Sequence, residues 1–386
     1  MRKNTKALLI ISCVLFVVLI ALVAVVFLGK TAPEETVPTS EPVTEVSTET
    51  NTEATTEPAT EATTEATTEA TTEAATEPAV LYRNPLTGEP LEEPMTNRVF
   101  AVSISNVADA LPHIGVTDCD MFFEMFIVTG AVRGVALYTN IEDVPQIGSV
   151  RSTRYNFTDL GQAYDAFVAH AGGSDEVLAD ARSSGIDHKN IDTSTKTSYS
   201  FRDMERNSAG WGMVHCLFVN GPGLKEWVAS QGISVSHEEE KTYGLNFVDQ
   251  GALEAGETAN TVTIDMFFDG SQKKTTMVYD NSIGEYVYNQ YGKVMTDGKT
   301  GEIESYENVF VLFVREYHKS IYLVADLLGS GNGYYACDGK IIPIKWTREK
   351  ETDSFTFTLE DGTPLYQNVG RSYVNFAPLD SKISWE

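Results

Sequence analysis

The sequence predicts an α/β ectodomain with a mostly β C-terminal part, preceded by one transmembrane helix and a disordered linker. Three observations carry that expectation. An uncharged apolar run stands near the N-terminus, and a Thr/Glu/Ala repeat follows it. Beyond residue 98, apolar strand-like runs first alternate with helix-like segments and then succeed one another without them.

Residues 1–30 are read as a cytoplasmic stub and membrane anchor. Ala7 to Leu28 is apolar apart from Ser12 and Cys13 and carries no charge. At 1.5 Å per residue the run reaches about 33 Å, enough for a hydrocarbon core of roughly 30 Å. Arg2, Lys3 and Lys6 precede it, and after Lys30 no basic residue occurs before Arg83. The positive-inside bias therefore puts the N-terminus in the cytoplasm and the rest of the chain outside the cell membrane. The run is too long for a cleaved signal peptide and lacks its small-residue cleavage site. Ile10-Ile11-Ser12-Cys13 looks like a bacterial lipobox, but Cys13 lies inside the apolar stretch and not after it, which favours a retained anchor over a lipidated cysteine.

Residues 31–80 hold twelve Glu, no Lys or Arg and no aromatic residue, so they cannot bury enough apolar surface to offset the entropy of ordering. The four-residue period would stack Glu61, Glu65, Glu69 and Glu73 on one helix face, where like charges oppose the helix. The segment is expected to be an extended tether of at most roughly 165–180 Å. Removing its twelve glutamates and the four basic residues before it from the total of −27 leaves −19 for residues 81–386. That charge argues against nucleic acid as a partner. Cys119, Cys216 and Cys337 are an odd set without a CxxC pair, so neither a disulfide framework nor a thiolate zinc motif is expected. One bridge or three buried thiols both fit.

Residues 81–240 give the α/β expectation. "RVFAVSISN" (98–106), "DMFFEMFIV" (120–128) and "GAVRGVALYTN" (130–140) are strand-like. "AYDAFVAHAGGSDEVLADARSSG" reads as strand, glycine loop and helix, with Ser174 as N-cap, Asp175 and Glu176 at the positive end of the dipole, and Gly185 as stop. "MVHCLFVNGPGLKEWVASQG" repeats the plan, with a strand ending near Val219 and a helix from about Pro222 to Gln231. Over residues 241–386 the runs become short and β-branched or aromatic, separated by Asp-Gly turns at 269–270, 338–339 and 361–362. This part either pairs within itself or adds strands to the first sheet. The glycine-rich "GSGNG" (329–333) has no lysine and no following helix, so it reads as a hairpin loop and not a phosphate loop. Tyr286, Tyr288, Tyr291, Tyr334, Tyr335 and Trp346 are expected in the core, as cross-strand pairs, over a surface for stacking on glycan rings.

Several stretches together resemble YerB-like proteins, an extracytoplasmic bacterial family built from two halves of unknown function. "NPLTGEPL" (84–91), "SISN" (103–106), "DMFFEMFIVTGAVRG" (120–134), "IGSVRSTR" (147–154), "HAGGS" (170–174) and the His215 region resemble the N-terminal half. "GKVMTDGKTGEIESYENVFVLF" (292–313), "GSGNGYYACDGKIIPIKW" (329–346) and "LEDGTPLYQNVGRSYVNFAPLD" (359–380) resemble the C-terminal half. The matching polar residues are Asn106, Asp120, Glu124, Arg133, Arg151, Ser152, Arg154 and His170, then Gly172, Gly173, Ser174, Arg202, Arg206 and His215. Two positions depart from the family pattern: Val128 stands where a second glutamate is usual, and Val214-His215-Cys216 where Pro-His-Asn is. The resemblance implies a fold and an envelope location, but no reaction.

The candidate site grows from the arginines. Arg151 and Arg154 are three apart, so both guanidinium groups point to one side, close after the strand that carries Arg133. Arginine stays charged and grips carboxylate or phosphate with a planar fork. The turn at His170, Gly172, Gly173 and Ser174 would add backbone N–H groups at a helix start. With Ser152 these residues are expected to bind an anion, supported by Asn106, Asp120, Glu124, Arg202, Arg206 and His215. The competing expectation is that the arginines pair with Asp120, Glu124, Asp159 or Asp165 and only hold the fold. Asp120 and Glu124 would flank Phe122 on one face of a strand. No metal spacing such as HExxH is present, so neither metal nor cofactor is expected. The sequence thus points to a membrane-anchored envelope protein that binds an anionic wall component or an assembly partner. The alternative is a wall-polymer hydrolase or phosphotransferase, for which the anchored LytR-CpsA-Psr enzymes are a loose analogy.

Overall fold

The computed structural model describes residues 82–253 and 255–386. The anchor and linker expectations for residues 1–80 lie outside them. Among the described residues no helix is long and apolar enough to cross a membrane.

The α/β expectation for residues 81–240 is corrected. Among the described residues 43% lie in strands and 14% in helices, so the fold is mostly β throughout. From the first half come β1 (Phe100–Ser105), β2 (Met121–Val128), β3 (Ala131–Tyr138), β4 (Phe167–His170) and β5 (His188–Asn190). The second half contributes β6 (Glu257–Thr258), β7 (Thr261–Phe268), β8 (Ser271–Asp280), β9 (Glu285–Gln290) and β10 (Asn308–Val314). It continues with β11 (Glu316–Lys319), β12 (Tyr322–Ala325), β13 (Gly329–Cys337), β14 (Lys340–Arg348), β15 (Ser372–Pro378) and β16 (Lys382–Trp385).

One large sheet runs in the order β6-β14-β13-β10-β15-β2-β3-β1-β4-β5, with Thr356–Thr358 beside β14. Its seam is β15, which pairs in parallel with β10 on one side and with β2 on the other. The second half therefore adds strands to the sheet of the first. A second sheet holds β7, β8, β9 and β16 with two short pieces, Lys293–Val294 and Ser305–Tyr306. Strands β11 and β12 form a hairpin sheet of their own, inserted between β10 and β13.

Burial explains both the sheet and the misread class. In β2, Phe122 and Phe126 join the core shared with the second sheet, while Met121, Phe123, Met125 and Ile127 join the core on the opposite face. A strand buried on both sides reads as a near-continuous apolar run, as it would between two helical layers. Here one cover is a second sheet. Helices α1 (Tyr155–Ala163), α2 (Asp175–Ser183), α3 (Met204–Ser208) and α4 (Gly221–Ser230) are short, the longest having ten residues. Two of them sit where the sequence puts helices, and the Ser174 hydroxyl accepts from Val177 N as a cap.

The turns at 269–270 and 338–339 have positive φ at both residues, the geometry Asp-Gly supplies between β7 and β8 and between β13 and β14. Residues 329–333 are not a hairpin loop but the start of β13, paired with β14. Gly331 belongs there because a Cβ would meet the indole of Trp346 at 2.5 Å. Cys119, Cys216 and Cys337 are free and buried.

Candidate anion-binding site

The arginines meet where three segments converge. Arg133 stands on β3 opposite Ser105 of β1 and Met125 of β2. Residues 149–153 run beside the end of β1, bonded through Ser105 N to Ser149 O and through Arg151 N to Ser103 O. The loop after β4 closes the other side: Ala171 N donates to Arg151 O, and Thr153 N to Gly172 O, both at 2.9 Å. Gly172 has φ +72°, in the left-handed region that favours glycine, and a Cβ on Gly173 would press on Thr153 and Leu178 at 3.2 Å. Small residues thus let the loop lie against the arginine segment.

No ion pair is formed by Arg133, Arg151 or Arg154 among the described residues. Arg133, only 7% exposed, donates to Ser152 O at 2.5 Å. Burial pushes its pKa well below the ordinary value, and the guanidinium groups of Arg154 and Arg151 push it further, which shows how close the three lie. Arg154 donates to Thr153 O, lies 4.7 Å from the Tyr322 ring centroid, and leaves a buried Nε without a partner. Arg151 donates to Val214 O, and the carboxylate acting on it is that of Asp192. Helix α1 begins at Arg154 with no side-chain cap, so its positive end adds to the same place. Three guanidinium groups and one helix start thus bring positive potential together in an acidic protein.

The carboxylates are engaged elsewhere, which corrects the structural alternative. Asp120 precedes β2 and accepts from Thr139 N, Thr139 Oγ1 and Asn84 Nδ2. Burial raises its carboxyl to about 6. Asp159 is bonded by Asn156, and Asp165 faces Arg98, His237 and Lys241. Glu124, fully buried, points into the core between the sheets. Its Oε1 accepts from Lys273 Nζ (2.6 Å), Asn106 Nδ2 (2.5 Å) and Tyr288 OH (3.2 Å). Its Oε2 accepts from Tyr373 OH (2.5 Å), Thr275 Oγ1 (3.0 Å) and Asn375 Nδ2 (3.0 Å). Burial alone would raise this carboxyl, but the Lys273 charge and the hydrogen bonds hold it below its usual range. Asp120 and Glu124 therefore form no pair, and neither reaches an arginine.

His170 is also occupied. Its Nδ1 faces Gly172 O at 2.9 Å and so carries the proton, leaving Nε2 to accept from His188 Nδ1 at 2.9 Å. Burial and His188 lower it to about 4, so it is neutral. Ser174 caps α2, whose first turn already holds Asp175 and Glu176. Arg202 pairs with Asp192 at 2.6 Å and donates to Met213 O, which steadies the turn bearing His215. Arg206 is engaged elsewhere: it bonds Ala110 O and Pro112 O under Trp211. Asn106 belongs to the Glu124 cluster, where its Oδ1 accepts from Gln290.

Lys273, Thr275, Tyr373 and Asn375 are not foreseen from the sequence; Tyr288 is, but only as a core aromatic, and Tyr291, expected beside it, is exposed. A signal existed for the first two: the alternation in "SQKKTTMVYD" puts Lys273 and Thr275 on the face of Met277, with Lys274 outward. Beside this cluster His113 Nδ1 faces Glu304 Oε2 and its Nε2 faces Ser105 O, both at 3.1 Å.

Comparison with known proteins follows the same two halves. The N-terminal-domain model of the protein of unknown function DUF3048 matches residues 86–234, and its C-terminal-domain model matches residues 263–374. The chain belongs to this YerB-like, two-part family. A family relative in Bacillus subtilis (strain 168), named "Putative lipoprotein YerB", is 26% identical over 308 residues, which are 76% of this chain and 86% of the relative. The crystal structure of YerB protein from Bacillus subtilis matches with a TM-score of 0.67 at 22% identity, covering 78% of this chain and 99% of that one. The family fold is thereby shared.

Proposed function

We propose that this is an extracytoplasmic, membrane-associated protein that binds an anionic cell-wall polymer through Arg133, Arg151 and Arg154. One observation carries the reading: among the described residues, three neighbouring guanidinium groups form no ion pair, in a chain with 55 acidic and 28 basic residues. Charges left unpaired at partly buried positions are costly unless a ligand supplies the counter-charge. Ser152, Gly172, Gly173 and Ser174 shape the surrounding loops. The lipoprotein name of the relative supports the location, with residues 7–28 as the anchor on the sequence argument.

The enzymatic alternative draws no support from the geometry. Its two candidate bases, Glu124 and His170, have their polar atoms on Lys273 and its neighbours, and on Gly172 and His188. Isothermal titration with soluble teichoic-acid fragments tests the proposal. The Arg151→Ala/Arg154→Ala variant should bind at least tenfold more weakly than the parent. Equal affinity would remove the arginines from any binding role.

A further inference from the structure

We infer that the hollow beside Arg151, walled by Trp211, His215 and Asp109, seats a sugar ring, so that the arginines take a sugar phosphate and not a bare anion. The inference rests on the anion-binding reading of Arg133, Arg151 and Arg154 and names the chemical class of its ligand. The hollow measures about 450 Å³, within the usual size of small-molecule sites. Val214 and His215 line it, and Arg151 Nη1 donates to Val214 O at 3.1 Å, so the guanidinium stands at its rim.

Both walls are fixed without a ligand. One is the short turn Ala108–Ala110, and the other runs from Ala209 to the turn Met213–His215. Trp211 Nε1 donates to Leu111 O at 2.9 Å, and Arg206 Nη2 donates to Ala110 O and Pro112 O, which ties the walls together. Arg202 Nη1 holds Met213 O at 2.9 Å, as Arg151 holds Val214 O. Binding in the hollow therefore has little backbone to order.

The chemistry of the lining separates a sugar from other occupants. One face of the indole lies under the Arg206 guanidinium, 4.8 Å from the ring centroid, and its N–H is spent on Leu111 O. What is left to line the hollow is the second face and the outer edge. No side chain crowds them from next door: a Cβ on Gly210 would meet nothing within 4 Å, and one on Gly212 nothing nearer than 3.7 Å. An electron-rich ring face attracts the C–H groups of a pyranose and repels an anion, as does the Asp109 carboxylate. A bare phosphate therefore belongs on Arg151, and an uncharged group attached to it belongs in the hollow. That group has polar partners, which an alkyl tail could not use. Asp109 accepts from hydroxyls, and the His215 ring makes no hydrogen bond among the described residues. Burial and the Arg151 charge push the His215 pKa down, so the ring is neutral at pH 7 and can donate or accept. A flat stacking face flanked by hydroxyl partners and adjoining a guanidinium fits a sugar that carries a phosphate.

The probes are inorganic sulfate, inorganic phosphate and glucose 1-phosphate, compared by calorimetry at pH 8. Two variants fill the hollow from opposite walls at exposed positions, Gly212→Leu and Ala108→Leu. Thermal unfolding checks that each is folded. The parent should prefer glucose 1-phosphate to either inorganic anion by roughly tenfold or more. Both filled variants should lose that preference while their affinity for sulfate and phosphate stays within about twofold of the parent. Equal affinity of the parent for the three probes, or a preference that survives in both filled variants, overturns the sugar seat and leaves the arginine reading standing. A preference that persists in Arg151→Ala/Arg154→Ala instead overturns the arginine reading and detaches the seat from it. Binding of no probe to the parent overturns both.

Discussion

Replacing Lys273 with methionine keeps most of the side-chain volume but deletes the ammonium that faces Glu124 in the core. In the parent, Lys273 and Glu124 have side chains 3% and 0% exposed and are 2.6 Å apart. The Glu124 carboxylate accepts six hydrogen bonds, of which Lys273→Met removes the charged one. Leaving one member of a buried pair alone costs about 3–5 kcal/mol, whereas neutralising both removes the unpaired charge. Lys273→Met should therefore lose about 3–5 kcal/mol at pH 8 in urea unfolding followed by fluorescence. The Glu124→Gln/Lys273→Met double variant should recover about 2 kcal/mol of that loss. The sign with pH is also fixed. Without Lys273, burial governs the carboxyl and raises it, so the deficit narrows as pH falls from 8 to 5. A loss below about 1 kcal/mol, or a double variant as unstable as the two single changes added, would refute the view that this pair is desolvated and mutually dependent.

Three further outcomes are expected. His170, lowered to about 4 from 6.5, contributes stability that is complete above pH 6.5 and disappears as pH falls through 4; His170→Gln should flatten the acid limb of a stability–pH profile measured by thermal unfolding. Gly134→Ala would place a Cβ 2.1 Å from the Phe122 ring and should cost about 1–3 kcal/mol in urea unfolding, with sulfate affinity unchanged. Cys13→Ala should leave the protein in the membrane fraction on cell fractionation, because the apolar run and not a lipid is the expected anchor; release into the soluble fraction would make Cys13 the attachment point.

What the sequence made legible was local. The strand runs at 98–106, 120–128 and 130–140, the Ser174 cap and the Asp-Gly turns all depend on neighbours a few residues away, and all are found. The fold class was not legible, because the pattern of β2 records that both its faces are covered without recording by what. The closeness of Arg133 to Arg151 and Arg154 was readable from a strand followed by a short loop. The partner of Glu124 was not: Lys273 is 149 positions away, and only the pairing of two sheets makes them neighbours. Tyr322 was missed for the same reason, since nothing near residue 322 announces an arginine at 154.

The seam at β15 has a consequence for dissection. Strand β15, which comes after every other strand of the large sheet in chain order, is wedged between β10 and β2, in parallel with each. Cutting the polypeptide between its two family halves would strip β2 of a neighbour and leave an apolar border unsealed, a template for self-association. The halves are thus expected to be inseparable as soluble fragments, and to regain native form only when mixed, by complementation across that border.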